Sequence, residues 1–92
     1  MIVRIMGEGQ YRLSEETIGR VNGLDNAAVA AVDSGDEDGF HAAFEEMLDI
    51  IRNEGDHLGD AEIETSDVIV PPADTSFAEA AAEFTGDGLI PD

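Results

Sequence analysis

Two short runs of apolar residues near the start of the chain predict a β-hairpin over residues 2–13. The first run is rich in β-branched residues, the second alternates apolar with polar positions, and Gly7-Glu8-Gly9 between them is typical of a turn. A three-residue loop over residues 7–9 sets Ile5 opposite Tyr11 and keeps the apolar side chains on one face. A two-residue loop would mix the faces, so we expect the three-residue loop.

Apolar residues at helical spacing follow the hairpin and predict two helices. Ser14 suits the N-cap of the first helix and Ser34-Gly35 its end; Asp36 begins the second helix, and Gly55 follows it as a stop. The first apolar stripe comprises Ile18, Val21, Leu24, Ala28, Val29 and Val32, and the second comprises Phe40, Ala43, Phe44, Met47, Leu48 and Ile51. Because the connection between them is short, the two helices should form an antiparallel pair.

A short apolar segment and a short amphipathic segment complete the pattern. Asp67-Val68-Ile69-Val70 is predicted to be a strand that ends at Pro71-Pro72. Asp74 or Thr75 then begins a final helix, which Gly86-Asp87-Gly88 ends.

The element order ββααβα predicts a single small α+β domain over residues 1–92. In this fold the hairpin and the third strand pack on the antiparallel helical pair. No apolar run reaches the ~18 residues that cross a bilayer, and the N-terminus lacks the basic and apolar regions of a signal peptide. We therefore expect a soluble, cytoplasmic protein.

Acidic residues outnumber basic ones so strongly that charge dominates the surface. Twenty-two Asp and Glu stand against four Arg and give a formal net charge of −18, while 42% hydrophobic residues are ordinary for a folded protein. Repulsion between like charges argues against direct binding to nucleic acid or anionic lipid. The acids occur in every segment, which favours a surface adapted to molar salt over one acidic face that imitates nucleic acid.

The sequence offers little for catalysis. It has no cysteine, and therefore no thiolate nucleophile or Cys-ligated zinc site. Its serines lie at predicted helix starts and turns, where capping explains them, and the P-loop, dinucleotide and nucleophile-elbow motifs are missing. His41 and Glu45 share one helix face, but His57 is distant in sequence and no further ligands converge on them. We predict a protein that is not an enzyme and needs no cofactor.

The segment from Ser34 to Glu45 resembles the beginning of an EF-hand calcium loop. Counting Ser34 as position 1 places Gly39 at the turn position. The candidate metal ligands are then Asp36, Asp38 and Glu45. Ser stands where Asp is usual, however, and the acids equally suit a helix start, whose dipole favours negative charge. We expect the helix start and keep a calcium-binding sensor as an alternative.

Arg4 and Arg12 are half of the scarce positive charge, and the expected register sets them opposite each other on the outer face of the sheet. Pairing with carboxylates of the same chain is one explanation for them. The other is a docking surface for acidic residues of a partner, to which Ile2 and Met6 add apolar area. The candidate partner-binding residues are therefore Ile2, Arg4, Met6 and Arg12.

Three segments of the chain form a further pattern. The chain opens with MIVRIMGEGQYRL (residues 1–13), carries SDVIVPPAD at residues 66–74 and closes with GLIP at residues 88–91. In this order the segments resemble the PspA-associated domain family, PspAA, and the helical pair between them fits in length. The resemblance implies a small non-enzymatic protein that works beside phage shock protein A, the coiled-coil protein that coats stressed membranes. It supplies no catalytic residues.

The leading hypothesis is an adaptor or regulatory module of a phage-shock-type envelope stress response in a salt-loving cell. Its partner is a coiled-coil protein of the phage shock protein A kind, and it meets the membrane only through that partner. The partner surface is either the outer face of the hairpin or an exposed stripe of the helical pair, because a heptad-bearing partner needs an apolar groove on which to dock. The alternatives are the calcium sensor and an acidic mimic or antitoxin that binds a basic protein.

Overall fold

The computed structural model describes residues 1–59, 65–84 and 89 of the chain. Its elements, in chain order, are β1 (Ile2–Ile5), β2 (Gly9–Arg12), α1 (Glu15–Ser34), α2 (Glu37–Glu54), β3 (Asp56–His57), β4 (Val68–Val70) and α3 (Phe77–Glu83). This is the expected small α+β fold, with one strand more than the sequence predicts. The predicted break at residues 86–88 lies outside the described residues.

The described strands form a mixed sheet in the order β3-β2-β1-β4. β1 pairs antiparallel with β2 and parallel with β4, so the third predicted strand joins the hairpin as expected. The additional strand, β3, pairs antiparallel with β2. The sequence does not predict it because Asp56 and His57 are both polar and exposed, and no apolar alternation marks them.

The hairpin turn comes earlier than the sequence predicts, and this shifts the strand register by two residues. Ile5 pairs with Gly9 rather than with Tyr11. The cause is the turn itself: Gly7 adopts a φ of +87°, and the Glu8 N–H donates to the Ile5 carbonyl at 2.9 Å. Glycine tolerates this left-handed conformation, so the chain reverses over residues 5–8 instead of 7–9. Because the shift is an even number of residues, each side chain keeps its predicted face.

Local capping defines both long helices as predicted. Ser14 accepts a hydrogen bond at 3.3 Å from the N–H three residues on, and Asp36 does the same at 3.0 Å. α1 ends at Gly35, whose φ of +72° lets its N–H bond to the last carbonyls of the helix. α2 ends at Gly55. The short link between α1 and α2 makes them the predicted antiparallel pair.

The final helix begins later than predicted. Neither Asp74 nor Thr75 caps it, because the Thr75 N–H donates to the Pro72 carbonyl and holds this stretch in a turn. Ser76 is the N-cap: its Oγ accepts from the Glu79 N–H at 3.2 Å and donates to the Glu79 carboxylate at 2.9 Å. The first bond is the N-cap bond of a capping box, whereas in the second the Glu79 carboxylate accepts from the Ser76 hydroxyl rather than from its backbone N–H.

The core joins the inner face of the sheet to the helices, but α1 is rotated relative to its predicted stripe. Ile18, Leu24 and Val32 are only partly buried, whereas Asp25 is fully buried. The Asp25 carboxylate accepts a hydrogen bond from the Leu89 N–H at 2.9 Å. A buried acid of α1 therefore binds the backbone at residue 89. The spacing of apolar residues in α1 does not predict this long-range contact.

An aromatic cluster fixes α3 against α2. Phe84 meets Phe40 and Phe44 edge-on, with ring centroids 5.1 and 5.7 Å apart, and Phe77 approaches Phe40 at 5.7 Å. Such edge-to-face contacts favour one relative orientation of the rings. Ala80 of α3 is fully buried and completes the packed face with Phe77 and with Phe84, the C-cap of the helix.

Candidate partner-binding surface

The outer face of the sheet carries the strand residues predicted to bind a partner. Val3, Ile5, Val68 and Val70 are buried in the core, so the alternate residues of these strands point away from it. These alternate residues, with those of β2 in register, are Ile2, Arg4, Gln10, Arg12 and Ile69.

Arg4 lies in the middle of this face. Its cross-strand neighbours are Gln10 on β2 and Ile69 on β4. The prediction that it lies opposite Arg12 is wrong, because the two-residue register shift moves Arg12 opposite Ile2. The two guanidinium groups share a face without being direct neighbours, which relieves the like-charge repulsion that the predicted register implies.

The predicted binding residues differ in accessibility. Met6 is 47% exposed, Arg12 is exposed and Arg4 is partly buried. Ile2 is only 9% exposed, so it adds little of the expected apolar area. Ile69, which was not among the predicted residues, is 57% exposed and is, with Met6, one of the two exposed large hydrophobic residues in the described chain.

Arg4 forms no hydrogen bond or ion pair with any residue that the structure describes, whereas each of the other three arginines has an interaction. Arg20 pairs with Glu54, and Arg52 binds both carboxylate oxygens of Glu8 at 2.5 and 2.7 Å. In a chain with 22 acidic residues, internal pairing is the expectation for any arginine. The guanidinium of Arg4 is therefore a donor group that a partner's carboxylate can use.

Arg4 borders a hollow of about 320 Å³, and two other polar side chains that line it are already hydrogen-bonded. Glu8 lines it but is bound to Arg52, whose hydrogen bond lowers the Glu8 pKa against a smaller opposing effect of burial. Gln10 also lines it and donates to Ser66 Oγ at 2.8 Å. These contacts keep Glu8 ionised and occupied, so it does not serve as the counter-ion of Arg4.

A larger groove of about 530 Å³ brings the two exposed hydrophobic residues together beside α3. Met6 and Ile69 line it with the two prolines that follow β4, and Glu79 and Glu83 line it from α3. The two acids lie four residues apart and therefore on one side of the helix, while the aromatic cluster holds its other side against the core. The groove combines an apolar lining with two carboxylates.

The sequence does not predict this groove. The run Val68-Ile69-Val70 was expected to be a short apolar strand, and nothing local marks Ile69 as exposed between two buried valines. The available signal is strand alternation, which sets Ile69 on the face opposite its neighbours. Whether that face is covered depends on tertiary packing.

The candidate calcium-binding segment from Ser34 to Glu45 is mostly helical and does not form a loop. Ser34 is the last residue of α1, and α2 begins at Glu37, so Asp38 and Glu45 both lie within α2. Seven residues of helix separate those two carboxylates by about 10 Å along the axis. Asp36 already caps α2 through its carboxylate. Among the described residues, no group of three His, Asp or Glu side chains is arranged to hold a metal ion.

The two histidines occupy separate elements. His41, in α2, lies 3.8 Å from Glu37, one turn before it, and no contact joins it to Glu45 among the interactions of the described chain. His57, in β3, packs against the ring of Tyr11 with centroids 4.9 Å apart. No acid–base constellation is built around either one in the part of the chain that the structure describes.

Comparison with known proteins identifies the family. The chain matches the model of the PspA-associated protein family over residues 1–92. Neither a curated protein nor a solved structure matches it. Within the described residues no helix has the length and apolar character that crossing a membrane requires. From its full-length match, the chain belongs to the PspA-associated protein family, PspAA.

Proposed function

We propose that this protein is a non-enzymatic adaptor or regulatory module that binds a coiled-coil protein of the phage shock protein A kind in an envelope stress response. The family description, PspA-associated protein, supports the association. The observation that supports a binding role is that Arg4, which has no ion-pair partner among the described residues, lies beside exposed Met6 and Ile69 on one sheet face. A cation next to apolar area suits a coiled-coil helix, because the positions that flank its apolar seam often carry Glu as well as Lys, and a Glu there can pair with Arg4.

The same proposal assigns the protein to the cytoplasm and makes its membrane contact indirect. With a net charge of −18, its surface is repelled by anionic lipid headgroups. The partner supplies the lipid contact, and this protein acts on the partner.

Affinity capture at about 1 M salt tests the association, because at that ionic strength long-range charge effects are screened. The full-length protein is the bait, and mass spectrometry identifies captured proteins. We expect a coiled-coil protein of the phage shock protein A kind in the eluate. Its consistent absence contradicts the proposed function.

Substitution of the sheet arginines tests the surface. Arg4→Ser with Arg12→Ser should weaken binding of the purified partner about threefold or more, because each removes a cation from the outer face. Arg20→Ser is the control: it removes one arginine that lies away from the sheet face, from a pair with Glu54 between the two helices. If the wild-type protein and both variants bind the partner equally well, the sheet arginines are not part of the interface, although the association itself still holds.

A further inference from the structure

We infer that the groove between β4 and α3, lined by Met6, Ile69, Pro71, Pro72, Glu79 and Glu83, binds an amphipathic helix that carries Lys or Arg beside its apolar stripe. The inference deepens the proposed function and rests on it, since it names where and by which chemistry a helical partner docks. The residues that line the groove do not include Arg4 or Arg12, so the groove and the two sheet arginines can be tested with separate variants.

The apolar part of the argument is the concentration of exposed hydrophobic area at one place. Met6 and Ile69 are 47% and 57% exposed, and both line this groove. The described surface elsewhere is dominated by small and charged side chains. An apolar patch rimmed by polar residues is the usual mark of a protein interaction site.

The charge of the groove selects the partner. Glu79 and Glu83 line it, whereas none of the four arginines does. A helix that buries apolar side chains here brings its flanking positions close to two carboxylates. Lys or Arg at those positions forms contact ion pairs, and these survive at high salt better than long-range attraction does.

The shape of the strand edge favours a helix over an added β-strand. β4 is the edge strand of the described sheet, but it is only three residues long and is followed directly by Pro71 and Pro72. Proline lacks the N–H that a ladder needs, and short edges offer few main-chain groups. The groove instead presents side chains, which is how helices are recognised.

The test is a binding titration of the full-length protein with a synthetic amphipathic peptide of about five helical turns, with leucines on one face and lysines beside them. Fluorescence anisotropy reports binding at one fixed salt concentration at which circular dichroism shows every protein variant folded. A second peptide has Glu in place of each Lys, and a third has a central proline that prevents a continuous helix.

Substitutions locate the binding. Met6→Gln with Ile69→Thr should weaken binding of the Leu–Lys peptide about tenfold or more, because it removes the exposed apolar area. Glu79→Gln with Glu83→Gln should weaken it about threefold to tenfold, and Gln at position 79 keeps a side chain suited to the capping box with Ser76. Glu45→Gln with Glu46→Gln is the charge-matched control on α2, where we expect less than about a twofold change.

Several results would overturn the inference. An equal loss in the α2 control pair means that net charge alone attracts the peptide, and full binding by the Met6/Ile69 variant means that it binds elsewhere. Equal binding of the Glu-substituted or proline peptide rejects a basic helix as the occupant. A change of molecular mass on Ile69→Thr in sedimentation equilibrium would assign the groove to a second copy of this chain.

The same variants separate this inference from the proposed function. If the wild-type protein fails to capture a coiled-coil partner while the Leu–Lys peptide binds in the groove, the proposed function fails and the groove chemistry holds. If the partner is captured equally well by the groove variants, the inference fails and the association holds.

Discussion

At the scale of single residues, the four arginines differ in whether they have partners within the described part of the chain. Arg52 binds Glu8 through two hydrogen bonds and also lies 3.5 Å from Asp49. This ties the C-terminal part of α2 to the hairpin turn. Arg4 has no such partner among the described residues and lies on the outer face, where we propose that it binds a partner.

The Arg52–Glu8 pair predicts a pH-dependent contribution to stability. The hydrogen bond from Arg52 lowers the Glu8 pKa below its ordinary value of 4.5, and burial opposes this only in part. A lowered folded-state pKa adds stability above the ordinary value and loses it as the pH falls through the lower one. Arg52→Gln should therefore cost about 0.5–1 kcal/mol of unfolding free energy near pH 7, and this cost should shrink as the pH falls below 4.5.

Urea denaturation of both proteins across this pH range measures the difference, and a double-mutant cycle with Glu8→Gln separates the pair from the other carboxylates. A difference that stays constant with pH would mean that Arg52 contributes by packing its side chain rather than by pairing with Glu8.

At the scale of elements, the sequence predicts well those features that depend on contacts between residues close together in the chain. Ser14, Asp36 and Gly35 act through residues at most four positions away, and each has its predicted role. Ser76 could have been found in the same way, since a glutamate follows three residues later.

What the sequence predicts poorly depends on distant parts of the chain. The turn at Gly7 is one of several that the glycines allow, and the burial of Asp25 depends on the Leu89 N–H, 64 positions away. The same distinction between local and long-range contacts applies to the candidate site. The outer-face positions of Arg4 and Arg12 follow from strand alternation, whereas the groove at Ile69 exists only after α3 has packed on α2.

Glycines in the two long helices predict opposite effects of one substitution. Gly19 and Gly23 lie inside α1 with open space at the position of an added Cβ, so Ala at either site should stabilise the protein by about 0.5–1 kcal/mol. At Gly39 the added methyl group would collide with the Asp36 carboxylate that caps α2, so Ala there should destabilise it by about 1 kcal/mol. Urea midpoints of the three variants check this, and a shift in the same direction for all three would contradict it.

At the scale of the whole molecule, the acidic side chains that the structure describes lie almost all on the surface and are spread over the fold. Asp25 is the only buried acid among the described residues. The remaining described carboxylates are partly or fully exposed, and they occur at both ends of the helical pair and on α3. Such a distribution gives self-repulsion in every direction rather than one acidic face, and the few arginine pairs offset only a small part of it.

This distribution predicts that the stability of the protein rises with salt. Raising KCl from about 0.1 M to 1 M shortens the Debye length from about 10 Å to 3 Å and screens the repulsion between exposed carboxylates. The Tm should therefore increase, with each gain of about 1 kcal/mol raising it by about 4–8 °C in a domain of this size. Sucrose is a control that favours compact states without screening charge.

Glu45→Gln with Glu46→Gln should reduce the dependence of the Tm on KCl, because it lowers the charge that must be screened. A protein equally stable at both salt concentrations would instead favour an acidic mimic, whose carboxylates are tolerated without screening until a basic partner neutralises them.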